Sequence, residues 1–192
     1  MKIDLCFTLM GRIVPVDHGY ALYSALSRVL PVIHEDRDVG IRLIRGRYVG
    51  GGVLDLSPAS ELVLRLPTDK LSQYINLAGK SFEMFGQTLR IGVPRMRMLF
   101  SGEKLSAQLV TTRNGNNQAR FEAEIDRQIK SLEVSCALRV TKRRTFEVHG
   151  KQVVGYSVAL ESISPEASIV IQEKGLGGRR KMGCGFFEVV EE

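Results

Sequence analysis

The stretch QVVGYSVALESISPEASIVIQEKGLGGRRKMGCGFFEVV, Gln152–Val190, decides how the chain is read. Its first part alternates, Val153, Gly155 and Ser157 against Val154, Tyr156 and Val158, with the period of two expected of a strand. Ser164 and Pro165 then mark a helix start, with serine at the N-cap and proline at the first helical position. The helix runs into GLGGRRKMGCG, and the apolar GCGFFEVV behind it reads as a closing strand. Strand, helix, glycine-rich loop and strand form the second half of a ferredoxin-like β-α-β-β-α-β unit.

Working backward, ALRVTKRRTFEV pairs with QVVGYSVALESI as a hairpin across HGK. NQARFEAEIDRQIKSL is a helix carrying Phe121, Ile125, Ile129 and Leu132, and KLSAQLVTT is a strand. The first half repeats this order. In KIDLCFTL, Ile3, Leu5, Phe7 and Leu9 alternate with Lys2, Asp4, Cys6 and Thr8. A helix follows in GYALYSALSRVL, with Leu22, Ala25, Leu26 and Val29 at helical spacing, Asp17 as N-cap and Pro31 as stop. VGIRLIRG and GVLDLSP read as strands paired across RYVGGG, and ELVLRLP as another with Leu62, Leu64 and Leu66 on one face. TDKLSQYINLAG reads as a helix capped by Thr68, and SFEMFGQTLRIGV as a hairpin of additional strand material. The expected fold is α+β: two tandem ferredoxin-like lobes of the topology shared with RNA-recognition motifs, residues 1–100 and 101–192, split near MLFSGE. The repeat is one of architecture, with no residue-level period.

The 192 residues, 44% hydrophobic and 25% charged, suit a folded globular protein rather than a disordered one. No apolar run approaches the ~20 residues that span a bilayer, so no membrane partner is expected. The N-terminal MKIDLCFTLMG reads as a strand rather than a secretory signal. Three widely spaced cysteines, Cys6, Cys136 and Cys184, give neither a disulfide framework nor a zinc pattern, and fit a reducing, cytoplasmic setting. The net charge of +6 is clustered: Arg95 and Arg97 in PRMRML, Arg139, Lys142, Arg143 and Arg144 in RVTKRRTF, and Arg179, Arg180 and Lys181 in GGRRK. Such clusters read as a footprint for a polyanion, against the plainer reading of strand edges guarded by cations.

The loop sharpens that choice. Gly175, Gly177, Gly178, Gly183 and Gly185 lack the Cβ that keeps a ligand from the main chain, so their amides are expected to meet an anion, helped by Arg179, Arg180 and Lys181. The order helix, loop, strand excludes a Walker A loop, and no GxGxxG opens a helix after a strand. With aromatics at 7% and no tryptophan, recognition dominated by base stacking is disfavoured, and VVGYSVAL is a poor match to an RNP1 strand.

GLGGRRKMGCG fits the form G-x-G-x-x-x-x-x-G-x-G ahead of a last strand, and in this the chain resembles the CRISPR-associated repeat-cleaving endoribonucleases. The resemblance extends over DHGYALYSALSRVLPVIHE, GVPRMRML and VVGYSVALESISPE, covers nearly the whole chain, and is nearest to the short MYXAN-subtype members. It implies cleavage of precursor CRISPR RNA within each repeat, without metal or other cofactor. The ribose 2′-OH attacks the adjacent phosphate and leaves a 2′,3′-cyclic phosphate and a 5′-OH. The implied partners are stem-containing repeat RNA and other CRISPR-associated proteins of an interference complex. Related RNA-binding subunits that do not cleave share the loop, so a non-catalytic subunit is the alternative reading, and an unrelated basic α+β binding protein the third.

Such chemistry needs groups that exchange protons near neutral pH. His34, after the first helix and expected on a polar loop, matches where family members place a catalytic histidine. His18, before that helix, falls where others place a catalytic His and Tyr; it reads as base, acid, or a helix-start residue bonded to Asp17. Tyr20 and Tyr23 share a helix face close to His18 (i, i+3) and read as substrate-orienting groups or as amphipathic core. His149 reads as turn surface. No lysine stands near His34 in the sequence, which leaves the phosphate-stabilising role to Arg37, Arg45 or Arg47. Arg95, Arg97, Lys142, Arg143 and Arg144 are expected to contact the RNA backbone, since A-form helices display phosphates and 2′-OH groups.

Overall fold

Strand β1 (Lys2–Met10) sits inside its sheet because both of its faces are buried, Leu5 and Phe7 on one and Asp4 and Cys6 on the other. The computed structural model describes residues 1–190, in two compact units, Met1–Met98 and Leu99 onward. In chain order the first unit continues with β2 (Ile13–Pro15), α1 (Gly19–Val29), α2 (Val32–Glu35), β3 (Gly40–Ile41), β4 (Arg47–Gly50) and β5 (Val53–Asp55). It ends with β6 (Glu61–Pro67), α3 (Leu71–Tyr74), β7 (Ser81–Met84) and β8 (Gln87–Met98). Its main sheet has the order β3-β6-β1-β8-β7 with antiparallel neighbours. Without the added edge strand β7, this is the fourth, first, third and second strand of a ferredoxin-like unit side by side. Leu22, Ala25 and Leu26 of α1 lie in one core cluster with Leu5, Phe7, Leu62 and Leu64.

The second unit comprises β9 (Lys104–Val110), α4 (Gln118–Ser131), β10 (Ala137–Val148), β11 (Lys151–Glu161), α5 (Pro165–Lys174) and β12 (Glu188–Val189). Its sheet order, β10-β11-β9-β12, is the same ferredoxin-like permutation. The cap read from Ser164 is present, its hydroxyl accepting the Ala167 N–H at 3.2 Å. Asn117 caps α4 in the same way, and Phe121, Ile125 and Ile129 pack into the core with Tyr156 and Val158. The β10–β11 hairpin turns through His149 and Gly150, both with positive φ as a tight two-residue turn requires.

Several local expectations need correction. VGIRLIRG and GVLDLSP do not pair: β3 joins β6, while β5 lies between β2 and β4 in a separate three-stranded sheet. The backbone leaves the first sheet after Ile41 because Ile44 is buried with its N–H on His18, and the Ser60 hydroxyl holds the Arg45 carbonyl. Asp17 is not the α1 cap; His18 occupies that position without a side-chain capping bond. TDKLSQYINLAG forms two short 3-10 turns around α3, with Pro67 rather than Thr68 at the start. The closing strand contracts to two residues, because the rest of GCGFF folds into the loop. All three cysteines are free, and burial raises each thiol, that of Cys184 to about 12. Among the described residues no helix is long and apolar enough to cross a membrane.

Candidate active site and nucleic-acid interface

Helix α1 buries Leu22, Ala25 and Leu26, which leaves Tyr23 half-buried on its flank. Pro31 cannot continue the helix, and the chain bends there into the single turn of α2, anchored by buried Ile33. The bend folds His34 back over α1. Its Nδ1 lies 2.8 Å from the Tyr23 hydroxyl, and the two rings stack with centroids 6.2 Å apart and planes at 17°. His34 is therefore on a helix rather than a loop, and it is exposed. Tyr20 stands one turn earlier on α1, also half-buried.

The far end of α2 is fixed by an acid that the sequence did not single out. Asp36 is 8% exposed; its carboxylate accepts from Tyr74 Oη at 2.7 Å, Lys70 Nζ at 2.8 Å and the Asp38 N–H at 2.8 Å. Burial raises its pKa, but the hydrogen bonds from Lys70 and Tyr74 outweigh it and hold the group below the usual carboxylate range. Lys70 thus brings an ammonium close to this segment, though it is committed to Asp36 and to Asp38 at 2.9 Å. Arg47 is paired with Asp55 at 3.1 Å.

His18 is a different kind of histidine. It is 1% exposed, its Nδ1 donates to the Pro15 carbonyl at 2.7 Å, and its Nε2 accepts the Ile44 N–H at 2.9 Å. Both ring nitrogens are occupied by backbone, and burial lowers its pKa. This geometry fits the neutral imidazole and runs against proton exchange with a substrate, so the acid–base reading of His18 is corrected to a core role. The unfolded chain protonates this imidazole as pH falls through about 6.5, the folded chain only at lower pH. Stability is therefore lost over that interval, at up to about 1.4 kcal/mol per pH unit. A His18→Gln variant is expected to show a flatter dependence of melting temperature on pH between about 7 and 5. An unchanged slope contradicts this account.

The glycine-rich loop also departs from expectation. The N–H groups of Gly175, Gly177, Gly178, Gly183 and Gly185 donate to Ile171 O, Gln128 Oε1, Thr111 O, Arg180 O and Leu109 O, at 2.7 to 3.3 Å. The glycine amides hold the loop to its own unit; they do not form an open anion cradle. A Cβ on Gly175 would run into the Gly185 carbonyl, and one on Gly185 into the Leu176 carbonyl, so these two glycines serve close chain packing. What the loop displays is charge. Arg179 is exposed and left-handed (φ 58°, ψ 39°), and Lys181 is half-buried. Arg180 is half-buried without an acidic partner among the described residues, and burial pushes its pKa down.

The strand-borne cations divide. Arg97 reaches Asp4 at 3.4 Å and Glu61 at 3.9 Å, and Arg95 reaches Glu61 at 2.7 Å. Both are tied to the acids of their own sheet, which weakens the reading of them as RNA contacts. Lys142 and Arg143 are exposed at a bulge in edge strand β10, while Arg144 is half-buried with its Nε on Ser157 Oγ at 2.9 Å. Sequence reading missed Gln128, which braces the loop through Gly177. Its signal was a polar residue seven positions after Phe121 and three after Ile125, on the buried stripe of α4. Among the described residues no three His, Cys, Asp or Glu side chains gather as a metal site.

Two ferredoxin-like units, the second closed by a glycine-rich loop fringed with arginine, make this a tandem ferredoxin-like α+β protein. The family model described as Cas6 Crispr matches residues 3–191. The chain is 38% identical over 192 residues to the CRISPR-associated endonuclease Cas6 of Myxococcus xanthus, covering 96% of this chain and 80% of that one. The chain belongs to the Cas6 family. Its fold is similar to that of a Cas6-related protein of Pyrococcus furiosus (TM-score 0.70, 13% identity, each chain covered in full). It is also similar to Thermus thermophilus Cse3 bound to an RNA representing a pre-cleavage complex (TM-score 0.54, 16% identity, 99% of each chain).

Proposed function

We propose that the protein is a cytoplasmic, metal-independent endoribonuclease that cuts precursor CRISPR RNA within its repeats, with His34 as the acid–base residue and Tyr23 as its positioning partner. The observation that carries this reading is the 2.8 Å contact between the Tyr23 hydroxyl and His34 Nδ1 in an exposed imidazole of a Cas6-family chain. A hydrogen bond at Nδ1 orients the ring, and proton exchange with RNA runs through the Nε2 edge. The ribose 2′ oxygen attacks the adjacent phosphorus while the P–O5′ bond breaks. One proton leaves the 2′-OH and one reaches O5′, so no water is consumed and a 2′,3′-cyclic phosphate and a 5′-OH result. Lys142 and Arg143 at the β10 bulge, with Arg180 and Lys181 on the loop, supply cations for the phosphates of a stem, whose A-form grooves offer backbone rather than base edges. Other CRISPR-associated proteins of an interference complex are the protein partners this assignment implies.

The expected result is cleavage of the cognate repeat transcript in excess EDTA. A single 2′-deoxy substitution just upstream of the cut is expected to abolish cleavage and spare binding. Normal cutting of the deoxy substrate excludes the 2′-OH as nucleophile. Tight repeat binding with no cleavage by the wild-type protein assigns it instead to the non-catalytic RNA-binding subunits.

A further inference from the structure

Gly178 is the one loop glycine that neither backbone conformation nor internal packing demands. Gly175, Gly177, Gly183 and Gly185 have φ between 62° and 81°, whereas Gly178 lies outside the positive range, and a Cβ built on it meets nothing within 4 Å. The open space beside it belongs to a cavity of about 540 Å³ between the segment 111–114, the Glu124–Gln128 turn of α4, and Gly177–Arg179.

Hydrogen bonds brace the walls of this cavity. Thr111 O accepts the Gly178 N–H at 2.9 Å, and Gln128 Oε1 accepts the Gly177 N–H at 2.8 Å. The Gln128 amide in turn donates to Glu124 at 2.9 Å. Glu124 is also held by Arg127 through two hydrogen bonds, 2.7 and 3.3 Å, so its negative charge is already matched. Arg113 and Arg179 are not matched: neither has an acidic partner among the described residues. Arg179 holds a left-handed backbone, a conformation that costs a non-glycine residue energy and persists where the surroundings impose it. The Asn114 side-chain amide also has no hydrogen-bond partner among the described residues.

We infer that this cavity is a subsite for one unpaired nucleotide of the bound RNA, distinct from the His34–Tyr23 site. The phosphate sits between the Arg113 and Arg179 guanidinium groups, the base edge meets the Asn114 amide, and the nucleotide lies against the bare backbone of Gly178. Two guanidinium forks suit a phosphate, and a volume of this order holds one nucleotide but not a duplex. The assignment rests on the RNA-binding reading above and names where a strand flanking the stem is held.

The test compares two RNAs by fluorescence anisotropy: the full repeat with its unpaired flanks, and the stem alone. With wild-type protein the full repeat is expected to bind about tenfold tighter or more, and in Gly178→Leu and in Arg113→Ala that ratio is expected to fall below about twofold. Gly178→Leu is expected to melt as the wild type does, since nothing lies within 4 Å of its Cβ, which separates a filled cavity from a damaged fold. Wild-type binding of the repeat with the ratio unchanged in both variants overturns the subsite and leaves the RNA-binding reading standing. Wild-type protein that binds neither RNA overturns both. Saturable binding of AMP that Gly178→Leu abolishes, with the RNA ratio unchanged, makes the cavity a free-nucleotide site and overturns its assignment to the strand.

Discussion

A His34→Ala variant is expected to lose repeat cleavage by about 10²–10⁴-fold, the range carried by one positioned acid–base group. Its affinity for the repeat is expected to change by no more than about threefold, because the imidazole acts on the reacting atoms rather than on the stem. Tyr23→Phe keeps the ring packing and removes only the hydroxyl that meets Nδ1. Losing one orienting hydrogen bond costs about 1 kcal/mol, so cleavage is expected to fall about five- to tenfold. The graded pair of effects distinguishes a catalytic dyad from an exposed histidine that happens to touch a tyrosine. Single-turnover cleavage and filter binding, run beside thermal melts, separate chemistry from affinity and folding. Cleavage by His34→Ala within about threefold of wild type removes His34 from the mechanism.

The difference between His18 and His34 shows where sequence reading stops. Tyr23 and His34 are 11 residues apart with a proline between them, so their meeting follows from one local bend. His18 has equally polar neighbours, but the amide that claims its Nε2 belongs to Ile44, 26 residues on, and nothing near His18 announces that it is swallowed by the core. Asp36 is hidden in the same way inside HEDRD, since Tyr74 lies 38 residues away. Strand alternation in KIDLCFTL, the Ser164–Pro165 helix start and the β10–β11 hairpin were legible because each depends on neighbours in the chain. Glycine density marked the loop correctly as a place of close approach. It did not reveal that the approaching groups are carbonyls such as Thr111 O and Leu109 O, because a glycine codon carries no information about which acceptor its amide will face. Pattern therefore located both regions, while tertiary hydrogen bonding decided which residues in them are available to a ligand.

Asp4→Ala is expected to cost about 3–5 kcal/mol of stability, the penalty for breaking a buried ion pair by removing one of its members. Asp4 lies opposite Arg65 on β6, the side chains are 4% and 5% exposed, and two hydrogen bonds of 2.7 and 3.0 Å join them. Without the carboxylate, the Arg65 guanidinium stays buried and loses both of its hydrogen bonds to Asp4, while Arg97, 35% exposed, turns to Glu61 or to water. The same reasoning predicts that Asp4→Leu combined with Arg65→Met restores most of the loss, because well-packed apolar side chains remove the desolvation cost of both charges together. Urea unfolding of the two variants checks it, and a single-variant loss below about 1 kcal/mol contradicts a buried pair at this position. The result also bears on Arg97, read from sequence as an RNA contact. If Arg97 serves the sheet, then Arg97→Ala lowers stability with little change in the salt dependence of repeat binding; a true phosphate contact instead reduces that salt slope by about one.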